Sequence, residues 1–276
     1  MIRLDLHTPK FPDIKPFTAM HLPGALALSQ AVRWPHRLED WALGFSVSEG
    51  VVAIERGRVV ATALCSFHGP VATLNMIIVD EAMRGRGVGR KIMERIIALA
   101  GPREMRLIAT AEGEPLYRKL GFAPTGGIVQ VQGLASAAPP ERPVRIGPES
   151  TEAMARMDHA ASGMERAPLL ARIAGMGTTL TTEGGFALLR PFGRGHVLGP
   201  VVARDATAAR SLIAAAASRQ DGQFLRMDLP GDHGLVPFAE SLGLSVAGGG
   251  TAMVQAPRAR PDTEFQTYAL ISQALG

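Results

Sequence analysis

Ile77-Ile78-Val79-Asp80-Glu81-Ala82-Met83-Arg84-Gly85-Arg86-Gly87-Val88-Gly89-Arg90-Lys91 is the stretch that decides the architecture of this chain. It passes from an apolar run of strand length, Ala72 to Val79, through a glycine-rich turn into a helix. Val88, Ile92, Met93, Ile96, Ile97 and Ala100 recur at three- and four-residue intervals, so Val88 to Ala100 has one apolar face; Gly101-Pro102 stops it. Gly85, Gly87 and Gly89 let the backbone approach a ligand closely and adopt dihedrals closed to other residues. The helix start adds unpaired N–H groups and the positive end of the dipole. Strand, glycine turn and helix start together make a cradle for an anion such as pyrophosphate. It is not a Walker-type loop, because Arg90-Lys91-Ile92 lacks the Gly-Lys-Ser/Thr ending, and Arg90 stands where the dinucleotide fingerprint needs glycine. On these residues alone, a surface turn with solvated arginines is the alternative.

Working outward, Ile14 to Thr18 has the length of a first strand, and Leu22 to Ala31 has helical spacing with Pro23 where proline is tolerated. Arg37 to Leu43 is a short helix after the Trp34-Pro35 turn. Val51 to Ile54 and Val59 to Phe67 flank Glu55-Arg56-Gly57-Arg58, a hairpin signature. Downstream come a strand at Met105 to Thr110, a short helix at Glu114 to Leu120 and a last strand at Ile128 to Leu134. Residues 1–12, with Pro9 and Pro12, read as an extended leader.

Ala135 to Pro143 is small and proline-rich, the composition of a linker, and after it the order restarts. Val144 to Ile146 is a strand. Ser150 to Ala160 and Glu165 to Ile173 are helical. Thr178 to Glu183 and Phe186 to Arg190 form a hairpin around Gly184-Gly185, and His196 to Ala203 is a strand. Asp205 caps an alanine-rich helix running through Ser218, and Phe224 to Leu229 is a strand. Pro115 to Phe122 parallels Pro237 to Leu244 at the apolar and glycine positions, with Ala239 opposite Tyr117. The chain therefore reads as a duplication: a first domain over 1–134, a linker over 135–143 and a diverged second copy over 144–276.

The 276 residues suit two domains, and 46% hydrophobic content supplies real cores. The net charge of +4 is not gathered into a basic run and aromatics are 5%, which argues against a nucleic-acid partner. Cys65, the single cysteine, lies in an apolar strand and reads as a buried structural thiol. No signal segment and no apolar run of membrane-spanning length stand out, so the expectation is a cytoplasmic monomer or homodimer without a membrane partner. His159, His196 and His233 lack metal-ligand spacing, and no metal is expected.

Ile77 to Gly89 resembles the acetyl-CoA motif of the GNAT N-acetyltransferase superfamily, a strand followed by Arg/Gln-x-x-Gly-x-Gly/Ala and a helix. Leu116-Tyr117-Arg118-Lys119-Leu120-Gly121-Phe122 resembles a second mark of that family. Trp34-Pro35-His36, Asp40-Trp41, Ala109 to Gly113 and Gly199 to Ala203 further resemble a bacterial subgroup with a degenerate GNAT-like C-terminal domain. The resemblance implies an α/β (α+β) fold of two tandem domains, each a mixed, mostly antiparallel sheet flanked by helices. It implies acetyl-CoA as co-substrate and an N-acetyltransferase acting on a primary amine of a small molecule, or secondarily on a protein amine, by direct attack on the thioester. Arg84, Gly85, Arg86, Gly87, Val88, Gly89 and Arg90 would hold the pyrophosphate, from Gly85 onward mainly through backbone N–H groups. Ile77, Ile78 and Val79 would pair with the pantetheine arm in the gap between two splayed strands, as an added strand does. Thr110 stands where many members carry a cofactor-contacting asparagine, and Tyr117 would donate to the departing thiolate.

Attack requires a neutral amine, and a lysine-like amine has a pKa of about 10.4, so its proton must go somewhere. Many members carry a glutamate near the middle of the strand before the loop; here that strand reads Thr73-Leu74-Asn75-Met76, and Asn75 is no base. His36, His68 and Asp40 are candidate bases or acceptor-site residues, each with a structural alternative: His68-Gly69-Pro70 as a turn, Asp40 as partner of Arg37. A water route through backbone carbonyls is the other option. Trp34 and Trp41 are candidate walls of the acceptor pocket or core aromatics. Asp158, Glu165 and Arg166 are candidate acceptor contacts or solvated charges. The second copy has Arg204-Asp205-Ala206-Thr207-Ala208-Ala209 in place of the loop, so it is expected not to bind acetyl-CoA in the same way and to close over the acceptor site. A non-catalytic acyl-CoA sensor and a nucleotide-binding protein are the competing readings.

Overall fold

The elements begin and end where apolar spacing changes and where proline or glycine interrupts it. The computed structural model describes residues 11–259 and 263–276. β1 (Asp13–Pro16), α1 (Leu22–Ala31) and α2 (Leu38–Phe45) precede the antiparallel strands β2 (Ser48–Glu55), β3 (Arg58–His68) and β4 (Val71–Val79). α3 (Val88–Ala100), β5 (Glu104–Ala109), α4 (Glu114–Lys119) and β6 (Ala123–Leu134) complete the first copy. The order restarts with β7 (Arg145–Ile146), α5 (Thr151–Ser162), α6 (Ala167–Met176), β8 (Thr178–Thr182), β9 (Gly185–Phe192) and β10 (Gly195–Ala203). It continues with α7 (Ala206–Arg219), β11 (Phe224–Pro230), α8 (Val236–Ser241) and β12 (Ser245–Gln255), and adds β13 (Gln266–Ala269). The leader expected over residues 1–12 lies outside the described residues, apart from Phe11 and Pro12. The sequence reading contains neither β12 nor β13, because Gly248-Gly249-Gly250 erases the apolar alternation that marks a strand.

The two copies exchange their last strands. β6 pairs with β11, from Leu134 opposite Phe224 to Ile128 opposite Pro230. β12 pairs with β5, from Thr251 opposite Ala109 to Gln255 opposite Met105. β6 and β12 lie side by side, antiparallel. One continuous sheet results, in the order β1-β2-β3-β4-β5-β12-β6-β11-β10-β9-β8-β7, with β13 beside β10. Residues 135–143 are strapped down along α7 and its following turn. The Ala135 N–H donates to Gln223 O at 2.9 Å, the Ala138 N–H to Ser218 Oγ at 3.1 Å and the Arg142 N–H to Ser211 Oγ at 3.0 Å.

β4 and β5 run parallel and pair only over Val71–Thr73 and Glu104–Arg106; beyond Thr73 no strand among the described residues lies on that side of β4. A bulge sets Met76 and Ile77 opposite the single residue Ala63, with Met76 at φ +50° and its carbonyl accepting from Thr62 Oγ1 at 2.8 Å. The second copy repeats the arrangement. β10 and β11 pair only over His196–Val197 and Leu225–Arg226, and a register shift follows Leu198. There the gap is filled: β13 pairs with β10 through Val201, Val202 and Ala203, and the Leu270 N–H donates to Asp228 O at 2.9 Å. The Leu270 carbonyl lies so close that a side chain at Gly199 would collide with it.

α3 packs on one face of the first sheet half over Ala63, Cys65, Leu74 and Leu107, while α1 and α2 cover the other over Leu64, Met76 and Ile78. Cys65 is wholly buried, and burial pushes its thiol up to about 12, so it stays protonated. α7 and α8 cover one face of the second half and α5 and α6 the other. Asp158 and Arg166 face each other rather than an acceptor: both are wholly buried, at 2.9 and 2.6 Å across two contacts. Arg166 Nη1 also donates to the carbonyls of Leu275 and Gly276, pinning the segment after β13. Glu165 sits against Gly69, on the β3–β4 turn. Replacing Asp158 with Ala leaves the buried guanidinium without its carboxylate and should lower stability by about 3–5 kcal/mol. The urea unfolding midpoint reads this directly; a variant as stable as the parent would contradict it.

Candidate active site

The glycine turn gains its shape from contacts behind it. Asp80 Oδ1 accepts from the Ala82 N–H at 2.9 Å, and Arg58 pairs with Asp80 at 3.0 Å. Arg86 reaches back to Glu55 of β2 at 2.8 Å, so its side chain anchors the turn. Gly85 and Gly87 have φ of +74° and +78°, with open space where side chains would project, and Gly87 is the residue that starts α3. Lys91 is the first N–H to find a partner within the helix, on Gly87 O at 3.1 Å. Among the described residues, the N–H groups of Val88, Gly89 and Arg90 have no partner, and the first turn holds no acidic side chain. The Val88 side chain enters the α3 core, and Arg90 pairs with Glu94 along the helix. Of the loop's three arginines, Arg84 is the one that lines the adjoining cleft.

That cleft has a volume of about 940 Å³ and runs from Arg84 and Gly89 past Ile77, Ile78 and Val79 to Trp34, Thr110 and Tyr117. A second chamber of about 140 Å³ lies beside it, with Trp34, Ile77, Thr110 and Tyr117 lining both. The chamber's far wall comes from the second copy: Phe192 of β9, Arg226 of β11 and the segment Ser272-Gln273-Ala274 after β13. Tyr117 of α4 is buried against Gly113 and edge-on to Phe122, and burial pushes its hydroxyl up to about 12. It therefore remains a proton donor throughout the physiological range.

An acetyltransferase (GNAT) domain model matches residues 47–124, which contain the loop and Tyr117, and a second acetyltransferase (GNAT) domain model matches residues 154–269. The chain belongs to the GNAT acetyltransferases. It is 26% identical over 275 residues to the uncharacterized N-acetyltransferase YitH of Bacillus subtilis, covering 93% of this chain and 95% of that one. In fold it resembles a protein of Pyrococcus horikoshii assigned to the acetyltransferases, with a TM-score of 0.84 at 17% identity over 97% of this chain and 96% of that one. It also resembles a tandem GNAT protein from the clavulanic acid biosynthesis pathway, with a TM-score of 0.61 at 14% identity over 90% and 99% of the two chains.

Within this GNAT frame the candidate acceptor residues separate. His36 lines the chamber, edge-on to Phe192. Burial pushes its imidazole down to about 4 and Asp40 opposes the shift; Arg226 and Arg190 reinforce it, and Asp228 also opposes it. Trp34 lines both cavities, whereas Trp41 is a core residue with no exposure, stacked on Phe17 and donating to Ser29 Oγ at 3.1 Å. Two expectations need correction. Asp40 lines neither cavity: its carboxylate accepts from the Arg37 backbone and guanidinium, from the Gly193 N–H at 3.2 Å and from Arg190 at 3.4 Å. Burial alone would raise its pKa, but these donors hold it below the usual carboxylate range, so it ties α2 to the second copy as a fixed anion. His68 lies at the β3–β4 turn, at the end where β4 and β5 are still paired, and lines neither the cleft nor the chamber. It is buried beside Thr73, and burial, with Arg166 and Arg106, pushes it down to about 3.

Arg33 and Arg58 in the cleft, and Arg226 and Gln273 in the chamber, escaped the sequence reading. One signal was available: Arg226 and Asp228 are charges two apart in an otherwise apolar strand, hence on one buried face. Among the described residues, no three His, Cys, Asp or Glu side chains gather as metal ligands, and no helix is long and apolar enough to cross a membrane. The unfolded chain protonates its histidines near pH 6.5. His36 and His68 do so in the fold only near 4 and 3, so their contribution to stability is full above about 6.5 and is lost progressively as pH falls toward 3. Urea midpoints should be lower near pH 5 than near pH 7, and His68→Gln should narrow the difference; an unchanged difference would count against the buried neutral imidazole.

Proposed function

We propose that this acyltransferase moves an acetyl group from acetyl-CoA to the primary amine of a small molecule. The observation that carries this reading is the gap between β4 and β5. It links free helix N–H groups at one end to Tyr117 and a narrow chamber at the other. The groups present suit such a carrier. Unpartnered amides at Val88 to Arg90 answer a diphosphate, Arg84 adds positive charge, and the open edge of β4 at Ile77 to Val79 offers backbone groups to an amide-containing arm. When bound, acetyl-CoA supplies an activated carbonyl and a thiol leaving group.

The chain's own residues do the rest. Chamber walls hold the amine against the open end of the gap. His36, neutral and with Nδ1 unpartnered, accepts an N–H of the amine and orients it, since an imidazole pushed down to about 4 does not retain the proton. A nitrogen–carbon bond forms as the carbon–sulfur bond breaks. Tyr117 gives a proton to sulfur and recovers one from the nitrogen, so amine and thioester become amide and thiol. A chamber walled by both copies favours a free small molecule in the cytoplasm, held from two sides, over a lysine on a folded protein.

Amine-dependent release of free thiol from acetyl-CoA tests the reading; acetyl-CoA binding without such release would overturn the amine acceptor. Gly87→Glu should abolish acetyl-CoA binding in calorimetry, because it strains the positive-φ position and places like charge at the cradle. Tyr117→Phe should cut turnover by roughly a hundredfold while leaving acetyl-CoA affinity unchanged; full activity would remove the tyrosine from the mechanism.

A further inference from the structure

Buried polar atoms in a native fold are almost always hydrogen-bonded, so a cluster of exceptions calls for a ligand. Six buried side-chain atoms among the described residues lack a partner, and three belong to residues that line the small chamber: Asn75 Oδ1, His36 Nδ1 and Arg226 Nε. Asn75 and Arg226 are 5% and 6% exposed, so bulk water does not answer them. They differ in sense. Asn75 has only its acceptor left, because Nδ2 of the amide is already spent on Ser66 Oγ at 2.9 Å and Thr73 O at 3.1 Å. Arg226 can only donate.

Arg226 is also the one charged side chain among the described residues lining the chamber, apart from the neutral His36. It is held in place from behind. Nη2 donates to both Asp228 oxygens at 2.9 Å, Asp228 accepts from the Gln273 backbone at 3.2 Å and from Gln273 Nε2 at 3.0 Å, and the guanidinium lies 5.2 Å from the Phe192 ring centre. Nε and Nη1 have no hydrogen-bond partner among the described residues. Around this wall two cations, Arg226 and Arg190, stand with two carboxylates, Asp228 and Asp40. Arg226 is the one of these four that lines the chamber, and its unspent N–H groups suit an anionic group on the ligand.

Resting on the acetyl-transfer reading above, we propose that the acceptor is a small amino acid-like molecule, a primary amine with a carboxylate a few bonds away, and that Arg226 of the second copy selects it. The amine donates to Asn75 Oδ1 and His36, and the carboxylate accepts from Arg226. The chamber itself is small, about 140 Å³, so the part of the acceptor it encloses is compact.

The test compares thiol release from acetyl-CoA with glycine, β-alanine and γ-aminobutyrate against their carboxamides. The carboxylates should win in kcat/KM by roughly ten- to a hundredfold, the worth of one charge-assisted hydrogen bond. Changing Arg226→Gln together with Asp228→Asn removes both charges and strands neither. This pair should erase the preference while acetyl-CoA affinity, by calorimetry, stays unchanged. Equal use of carboxylates and carboxamides overturns the assignment, as does a preference that survives in the double variant. So does failure of every carboxylated amine with a protein that binds acetyl-CoA. Failure to bind acetyl-CoA at all would instead overturn the underlying transfer reading, and this one with it.

Discussion

Adjacent strands can share hydrogen bonds only while they stay within about 4.9 Å of each other. β4 and β5 do so for three residues and then part, leaving the amide edge of β4 without a neighbour. The bulge at Met76 bends β4 at that point, and the glycine turn follows its last residue, so the start of α3 faces the same opening. The cleft, the position of Tyr117 and the chamber beyond it all lie along this divergence. The scaffold holds it open from behind: α3 on one face, α1 and α2 on the other, and β12 occupying the far side of β5.

The second copy contains the same divergence with the opposite fate. Its parallel pairing is shorter still, its bulge falls at the corresponding place, and β13 enters the opening and bonds to β10. At the start of α7 the Asp205 carboxylate accepts from the Ala208 N–H at 2.8 Å and pairs with Arg142, so that helix start is already answered by an anion from within the chain. The segment that fills the second opening continues into Gln273, which braces Asp228 behind Arg226. Closing one cleft thus builds a wall of the other.

Much of this was legible in residue spacing. Val88 to Ala100 and Leu22 to Ala31 emerge as helices with the bounds expected, since periodicity and flanking glycine or proline agree there. The loop could be placed because its chemistry is local: consecutive glycines, a strand before, a helix after. The chamber was legible only on its first-copy side. Its other wall joins residues more than a hundred positions apart, such as Asn75 and Arg226, through strand pairings that no local pattern encodes. The exchange of β6 and β12 was equally hidden, because both strands are glycine-broken and would suit either neighbour. Asp40 and His68 looked like chemistry because polar residues between apolar ones attract that reading; their burial and partners make them fasteners.

The interleaving of β6 and β12 bears on why a copy with a filled opening persists in the chain. Deleting the second half would strip β5 of its neighbour and leave β6 without β11, exposing raw sheet edges on the half that holds the loop. Point changes meet no such barrier, so side chains of the second half can change while its strands stay paired, and Phe192, Arg226 and Gln273 now wall the chamber. Duplication followed by interlocking acts here as a ratchet: the two halves can diverge in task, but neither can be discarded.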